Sequence, residues 1–456
     1  MIHKIEEKEL LEGAILPLIV KLALPMIIAF AFQTSYNFLD RYFVSRLGDT
    51  ATAAIGMAFT VQLFLIAVGS GIGVGINSYI ARNLGAGRVD QARSTVLHAF
   101  ILAGGIGLAL TVGGLWIQRP LFEAMGAQGE LLRMILDYLT IILLFAPVIL
   151  LSMFLNNVFR GWGDTIYPMV FMVTGTVLNI FLDPLLIFGL GPFPEMGIRG
   201  AALATGIARV LAVLLTLAIL FGKKKPVALS FRKLRLSWKP VKGIFQVGVP
   251  SSLSQFLTSI AMGIVFAILK RFGEEAQAAY TIVFTYEMVA FLPILGVGQA
   301  VTILTGHNFG ARKLDRLKTI LFRGIQVAFT MMCLAAVAVA LAPRLFAGVF
   351  AESPTVVNIT AQALRISVFG YVFFSFYICI IASFQGLGLG RQYLWANLVR
   401  LYVFQIPFIF LGSLIFQLVG VWYGMLLGNF LSAGLVVAWF LHLYQKKIVE
   451  EQLQPI

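Results

Sequence analysis

The segment NLGAGRVD at residues 83–90 returns as NFGARKLD at residues 308–315, at an offset of 225 positions. The same offset aligns further pairs on both sides of this segment. They are Pro25 with Pro250, Gly48 with Gly273, Ala53-Ala54 with Ala278-Ala279, Phe59-Thr60 with Phe284-Thr285, Gly73 with Gly298, and FRGWG at 159–163 with FQGLG at 384–388. One ungapped offset that holds from residue 25 to residue 163 indicates that the chain consists of two homologous halves.

The composition of the chain places both halves in a membrane. Of its 456 residues, 59% are hydrophobic and only 12% are charged, and the mean hydropathy is +0.92. A soluble protein carries about 25% charged residues. Apolar runs of about 20 residues, long enough to span a bilayer as helices, recur from one end to the other. A transmembrane barrel would show short alternating segments instead, so we predict an all-α membrane protein.

Hydropathy, together with the positions of glycine, proline and charge, predicts twelve membrane-spanning helices. Their ranges are 14–43, 51–80, 94–117, 128–159, 164–190, 198–222, 240–271, 276–306, 317–344, 354–385, 392–416 and 420–445. Basic loops follow spans 2, 4, 6, 8 and 10, and further basic residues follow span 12. These basic residues include Arg82, Arg88 and Arg93; Lys223, Lys224, Lys225, Arg232, Lys233 and Arg235; Arg312, Lys313, Arg316 and Lys318; and Lys446 and Lys447.

This charge distribution predicts the topology of the chain. The positive-inside rule places the loops after the even-numbered spans, and both termini, in the cytoplasm. The net charge of +14 is then explained by basic residues in the cytoplasmic loops, and we expect no nucleic-acid partner. We expect the chain to lie in the cell (plasma or inner) membrane as a multi-pass protein.

The longest polar stretch, GKKKPVALSFRKLRLSWKPVK at 222–242, separates two sets of six spans. We therefore predict an N-lobe at 1–222, a cytoplasmic basic linker at 223–239 and a C-lobe at 240–456. Because six is an even number, both lobes enter the membrane from the same side and form a parallel pseudo-two-fold repeat. Parallel repeats that enclose a cavity favour a transporter.

Two acidic residues within the apolar spans belong to the first half only. At the offset of 225, the polar residues of the first half correspond to apolar ones: Asp40 to Val265, Asp183 to Phe408, Tyr36 to Ala261 and Asn179 to Phe404. Tyr36 and Asp40 are four residues apart and share a helix face, and so do Asn179 and Asp183. Pro184 frees backbone carbonyls beside the second acid.

The pair Asp40 and Asp183 predicts a cation site. A carboxylate at the centre of a bilayer costs from about 2.5 to more than 10 kcal/mol, so it is retained where it faces a cavity or a partner. Burial and a second carboxylate favour proton binding, and such a pair titrates as a unit. With Asn179 and Tyr36, the same oxygens suit Na⁺, a hard cation. The sequence leaves H⁺ and Na⁺ open.

Structural roles remain as alternatives for both acids. Asp40 would then pair with Arg41 or Arg46 at the membrane interface, and Asp183 would be a helix-end acid. Glu287, in VFTYEMVAFLP at 283–293, is a third candidate for substrate or ion binding, although its counterpart Gln62 is also polar. We expect some of the 39 phenylalanines to line a cavity for flat cations. Three intramembrane basic residues are expected near the cytoplasmic ends or in pairs: Arg209, Arg365 and Arg400.

Seven motifs together resemble the multidrug and toxic compound extrusion (MATE) family, in its prokaryotic DinF-like branch. They are ALPMIIAFAFQTSYNFLDRYFVSRLG at 23–48, ARNLGAG at 81–87, FRGWGDT at 159–165, NIFLDP at 179–184, GIRGAALAT at 197–205, VGVPSSLSQ at 247–255 and NFGARKLD at 308–315. The resemblance implies twelve helices in two six-helix lobes. It also implies a cation site formed by Tyr36, Asp40, Asn179, Asp183 and Thr205, and a bend at Pro25 that is linked to the protonation state.

The resemblance further implies a secondary antiporter that exports amphipathic, mostly cationic drugs in exchange for H⁺ or Na⁺ by alternating access. The alternative is a flippase for lipid-linked oligosaccharides from the same wider superfamily, whose pyrophosphate ligand would favour a cationic cavity. No HExxH, GxSxG, Walker A or aspartate-rich prenyl-diphosphate motif is present, so we expect no enzyme. We expect no cofactor beyond the coupling ion, and a monomer.

Overall fold

The computed structural model describes residues 7–222, 237–351 and 353–444, which are almost entirely helical and contain no strand. Their α-helices are α1 Glu7–Glu12, α2 Ile15–Ser45, α3 Asp49–Gly85, α4 Val89–Ala124, α5 Gly129–Leu144, α6 Ala146–Gly161, α7 Ile166–Ile187, α8 Ile198–Phe221, α9 Trp238–Leu269, α10 Glu274–Gly310, α11 Leu314–Leu341, α12 Pro343–Phe350, α13 Pro354–Gly386, α14 Gly390–Leu398, α15 Ile406–Ile415 and α16 Gln417–Leu443. The basic residues at 223–235 and at 446–447 lie outside the described ranges.

The ends of the membrane spans agree with the sequence prediction to within seven residues. Within the described ranges, eleven helices are long and apolar enough to cross a membrane, and the bent pair of α5 and α6, counted as one span, makes twelve. The span of residues 390–415 contains α14, a π-helical turn at Val399–Gln405 and α15. The prediction of an all-α membrane protein is confirmed.

The fourth span is bent by 51° between α5 and α6, where the sequence predicted one helix at 128–159. Pro147 has no N–H, so the carbonyl of Leu143, four residues earlier, loses its helical donor. The hydroxyl of Thr111 on α4 donates to this carbonyl at 2.5 Å. Gly107, also on α4, has no side chain and so leaves room for the backbone of Pro147. Neighbouring residues on α4 therefore support the bend.

The described residues form two compact units. Unit 1 lies within 28–252, and unit 2 within 7–27 and 253–444. The units therefore differ from the predicted N-lobe and C-lobe at 7–27 and 240–252. Each boundary falls inside a helix, two residues after Pro25 in α2 and two residues after Pro250 in α9. A proline removes one helical hydrogen bond, so both helices have a weakened turn at equivalent positions of the repeat.

Two apolar cores hold unit 1 together. One lies among α3, α4 and α6 and includes Ile76, Phe154 and Phe159, all with 0% exposure. The other lies among α3, α5 and α8 and includes Ala54 and Tyr138. The second core also contains Val44 on α2 and Ile187 on α7, so it packs the helices that carry the predicted cation-site residues against α5.

Unit 2 contains a close helix crossing that gives a test of stability. Gly412 on α15 and Gly420 on α16 face each other, and a Cβ on Gly420 would overlap the backbone of Gly412. We expect Gly420→Ala to lower the free energy of unfolding by about 1–3 kcal/mol through this overlap. The measurement is the thermal unfolding of the purified protein in detergent.

The matched control is Gly434→Ala, on the same helix. A Cβ at Gly434 meets nothing within 4 Å, so alanine there brings only its higher helix propensity. A neutral or slightly stabilising effect is expected. Equal melting temperatures for the two variants would contradict the role of the crossing.

Candidate functional site

Unit 1 brings the five residues of the predicted cation site together. Tyr36 and Asp40 lie one turn apart on α2, Asn179 and Asp183 one turn apart on α7, and Thr205 lies on α8. The hydroxyl oxygens of Tyr36 and Thr205 are 3.1 Å apart, within hydrogen-bond distance. Side chains from α2 and from the consecutive helices α7 and α8 therefore meet at one polar cluster, although Tyr36 and Thr205 are 169 positions apart in sequence.

Asn179 joins α7 to α8 and orients the carboxylate of Asp183. With its amide oriented to satisfy its neighbours, Asn179 donates from Nδ2 to Oδ2 of Asp183 at 3.0 Å. Its Oδ1 accepts the backbone N–H of Thr205 at 3.1 Å. Both partners of the amide are thus protein atoms, and the side chain is 3% exposed. The Asp183 carboxylate is consequently held in a fixed position.

Asp40 and Asp183 form a pair of carboxylates inside this cluster. Asp183 is 0% exposed and Asp40 is half-buried, and the two lie close enough to interact electrostatically. The Oδ1 atom of Asp40 is shielded from solvent and accepts no hydrogen bond from any described residue. A buried carboxylate oxygen without a donor is costly, so it is available to a proton or a cation.

A second layer of polar groups surrounds the pair and was missed by the sequence analysis. Tyr138 on α5 interacts electrostatically with both Asp40 and Asp183, and its hydroxyl accepts a hydrogen bond from Nε2 of Gln62 at 2.7 Å. The repeat offers a signal that would have found it. The counterpart of Tyr138 at the offset of 225 is Ala363, so Tyr138 is polar in the first half only.

The two arginines that follow Asp40 on α2, Arg41 and Arg46, both contact aromatic rings. The guanidinium of Arg41 lies 5.6 Å from the ring centre of Phe59 while it interacts electrostatically with Asp40. Arg46 donates to the hydroxyl of Tyr42 at 2.5 Å. In the part of the chain that the structure describes, neither arginine forms an ion pair with Asp40. The geometry therefore does not favour the structural alternative for this acid.

Asp183 lies one turn before the end of α7, so its alternative role as an acid at a helix end stays open beside the cation site. Its side chain is fully buried. Pro184 follows it inside the helix, as the sequence indicates. Of the remaining candidates, Pro25 lies within α2 at the weakened turn described above, and Glu287 lies on α10 in unit 2. Glu287 is thus not part of the unit 1 cluster.

The donor set of the unit 1 cluster determines which ions it suits. It offers carboxylate and hydroxyl oxygens, which hard cations prefer, and no thiolate or imidazole from the named residues. Across the described residues, no group of three or more His, Cys, Asp or Glu side chains could hold a metal ion. Two carboxylates with neutral oxygens around them fit a proton or one monovalent cation.

Comparison with known proteins finds a matching family model, related proteins and similar solved structures, and these agree with one another. A model of the MatE family matches residues 25–185 and 250–411, one range in each half. The multidrug export protein MepA of Staphylococcus aureus is 29% identical over 420 residues, which is 90% of each chain. An FAD transporter of Shewanella oneidensis is 27% identical over 409 residues, which is 89% of this chain and 90% of that protein. A solved structure of a MATE in the bent conformation matches with a TM-score of 0.92 and 32% identity, over 99% of this chain and all of that one.

Proposed function

Because this chain belongs to the MatE family of membrane transporters, we propose that it is an antiporter that exports amphipathic organic cations in exchange for H⁺ or Na⁺. The observation that carries the proposal is the buried pair of Asp40 and Asp183 in unit 1, with one carboxylate oxygen unpaired among the described residues. A site that binds either a coupling cation or an organic cation, but not both, links their two fluxes.

The proposed mechanism follows from charge. While both acids are ionised, the cluster attracts an organic cation. A coupling cation from outside binds between them and reduces their negative charge, so the affinity for the drug falls and the drug leaves to the outside. Release of the coupling cation to the cytoplasm restores the negative charge and completes alternating access. Only a difference in affinity between the two states couples the fluxes.

The weakened turn at Pro25 is a point at which α2 can bend during this mechanism. Pro25 lies in α2, the helix that also carries Tyr36 and Asp40, and it removes the hydrogen bond to the carbonyl of Lys21. Related structures of a MATE in a straight and in a bent conformation support a conformational change in such transporters. We propose that neutralisation of Asp40 changes the bend of α2 at this turn.

Two other substrate classes follow from the relatives and from the wider superfamily. The FAD transporter relative favours a dinucleotide, and a flippase would bind a lipid-linked pyrophosphate. Both ligands are anionic. The carboxylates of the unit 1 cluster repel anions, so this cluster favours cations over both alternatives.

The proposal extends to the place of the protein in the cell. The apolar helices and the relatives make it a multi-pass membrane protein. We propose that it acts as a monomer in the cell membrane with both termini in the cytoplasm, because the basic loops predict that orientation.

Reconstituted vesicles test the proposal and identify the coupling ion. Purified protein is placed in liposomes loaded with ethidium, and a proton gradient or a sodium gradient is imposed separately. We expect ethidium transport with one gradient that stops when an ionophore collapses it. Transport that is unaffected by either gradient would refute antiport.

A further inference from the structure

Unit 2 contains a polar and aromatic cluster that the cation mechanism does not use. It consists of Glu287 on α10, of Tyr371, Phe374 and Tyr377 on α13, and of Arg400 in the π-helical turn. We call it the Glu287–Arg400 cluster. The sequence predicted Arg400 near a cytoplasmic end or in a pair, and among the described residues it forms no ion pair.

The π-helical turn at Val399–Gln405 positions Arg400. The backbone N–H of Ile406 donates to the carbonyl of Leu401, five residues earlier, instead of the usual four. The corresponding span of the first half, α7 at Ile166–Ile187, is α-helical throughout. A π-turn inserts one extra residue and redirects the side chains around it, and such turns are frequent at functional sites.

The guanidinium of Arg400 is held in place but its charge is not neutralised. It lies 4.9 Å from the ring centre of Tyr377 and 5.4 Å from that of Phe374. Its Nη1 donates to Oε1 of Gln405 at 3.3 Å, and its Nη2 donates weakly to Oδ1 of Asn397 at 3.5 Å. Its Nε is buried and finds no acceptor among the residues that the structure describes. The partners are all neutral, so the positive charge remains available to an anion.

Asn397 makes this arrangement rigid. Its Oδ1 accepts the hydroxyl hydrogen of Tyr377 at 3.0 Å, and its Nδ2 donates to the carbonyl of Ser254 at 3.2 Å and to Oγ1 of Thr258 at 3.0 Å. The side chain thereby ties the π-turn span to α13 and α9. A group fixed in this way loses little entropy when it binds a ligand.

Glu287 supplies the opposite charge in the same cluster. It interacts electrostatically with Arg400 and with Tyr371, yet it forms no ion pair with any basic residue of the described ranges. Tyr371 is 1% exposed, and its hydroxyl has no hydrogen-bond partner in the described chain. Two opposite charges that are half-buried near each other without forming an ion pair are both open to a ligand.

Stacked rings lie beside these two charges. The rings of Phe291 and Phe374 are stacked with centres 4.5 Å apart, and Phe374 stacks on Tyr377 at 5.8 Å. The rings on α13 belong to the second half only. At the offset of 225 their counterparts are aliphatic or small: Ala146 for Tyr371, Ile149 for Phe374 and Ser152 for Tyr377. A scaffold role shared by both halves would not need this one-sidedness.

We propose that the Glu287–Arg400 cluster is a binding site for planar aromatic zwitterions, in which Arg400 binds the carboxylate of the ligand, Glu287 its cationic group and the stacked rings its planar body. Arginine suits a carboxylate because its planar fork donates two parallel hydrogen bonds. The proposal rests on the proposed function and adds a substrate class to it, because the unit 1 cluster, whose charged groups are both carboxylates, binds cations.

Two matched dyes test the proposal by binding, with no ion gradient present. Rhodamine B carries a planar cation and a carboxylate, and its ethyl ester carries the same cation without the negative charge. Fluorescence anisotropy with purified protein measures the dissociation constant of each. We expect Arg400→Gln to weaken the binding of rhodamine B by about tenfold, as for the loss of a charge-assisted hydrogen bond. The dissociation constant of the ester should change by less than about twofold.

Three further variants complete the design. Glu287→Gln is expected to weaken both dyes, because both carry the cation. Arg400→Lys keeps the charge without the planar fork and is expected to recover part of the rhodamine B affinity. Arg344→Gln, at an exposed position on α12, removes the same charge elsewhere and is expected to change neither dye.

An equal loss of affinity for both dyes in Arg400→Gln, or no loss of affinity for either dye, would overturn the proposal. If Arg400→Gln does not fold, the unmodified protein decides: tighter binding of the ester than of rhodamine B by tenfold or more would also overturn it. These outcomes are independent of antiport, because a protein that binds the dyes as expected can still fail the vesicle experiment.

Discussion

We expect Asp40→Asn to abolish ethidium transport driven by an ion gradient, down to the level of vesicles without protein. Asparagine resembles the neutralised acid in shape but can neither lose a proton nor attract a cation by charge. The unpaired Oδ1 of Asp40 is the atom best placed to receive the coupling cation, because no described residue donates to it. The measurement is the vesicle assay described above, with either gradient imposed.

Binding measurements separate this expectation from misfolding. In the proposed mechanism, Asp40→Asn fixes the site in its neutralised state, so ethidium affinity falls by about tenfold or more and no longer depends on pH or Na⁺. Asp90→Asn is the control, since Asp90 is exposed on α4 and makes only a 3.4 Å pair with Arg93. Full transport by Asp40→Asn would contradict the mechanism.

The internal repeat explains which residues of this site could be predicted from the sequence. Equivalent positions of the two halves are either similar in both or polar in one half only. Asp40 and Asp183 belong to the second group, so the sequence alone predicts them as functional residues. The structure brings these residues together with Tyr36, Asn179 and Thr205, and their role in coupling stays a prediction. Tyr138 follows the same rule and was missed because tyrosine is common in apolar spans.

Other features depend on contacts that no local pattern contains. Pro147 in the fourth span was visible, but whether a proline bends or ends a helix depends on what satisfies the freed carbonyl, here Thr111 from another helix. The π-turn at Val399–Gln405 has no sequence signature of its own, so the placement of Arg400 could not be predicted. The unit boundaries inside α2 and α9 likewise depend on tertiary packing, although Pro25 and Pro250 mark them.

Asp183→Asn is expected to fail in a different way from Asp40→Asn. Removal of this buried charge takes away much of the electrostatic attraction for a coupling cation, while Asp40 remains to attract ethidium. The hydrogen bond from Asn179 to position 183 can persist, because an asparagine side chain at that position keeps one acceptor oxygen. We therefore expect a folded protein that binds the drug but no longer releases it when the coupling cation is supplied.

A displacement titration distinguishes the two acids. Ethidium is bound to purified protein, and its anisotropy is followed as the pH is lowered or as NaCl replaces KCl. The unmodified protein should release the dye, Asp183→Asn should retain it, and Asp40→Asn should bind little from the start. Release by Asp183→Asn at the same cation concentration as the unmodified protein would show that Asp40 acts alone. Coupling would then need one carboxylate, and the electrostatic interaction between the two acids would have no part in transport.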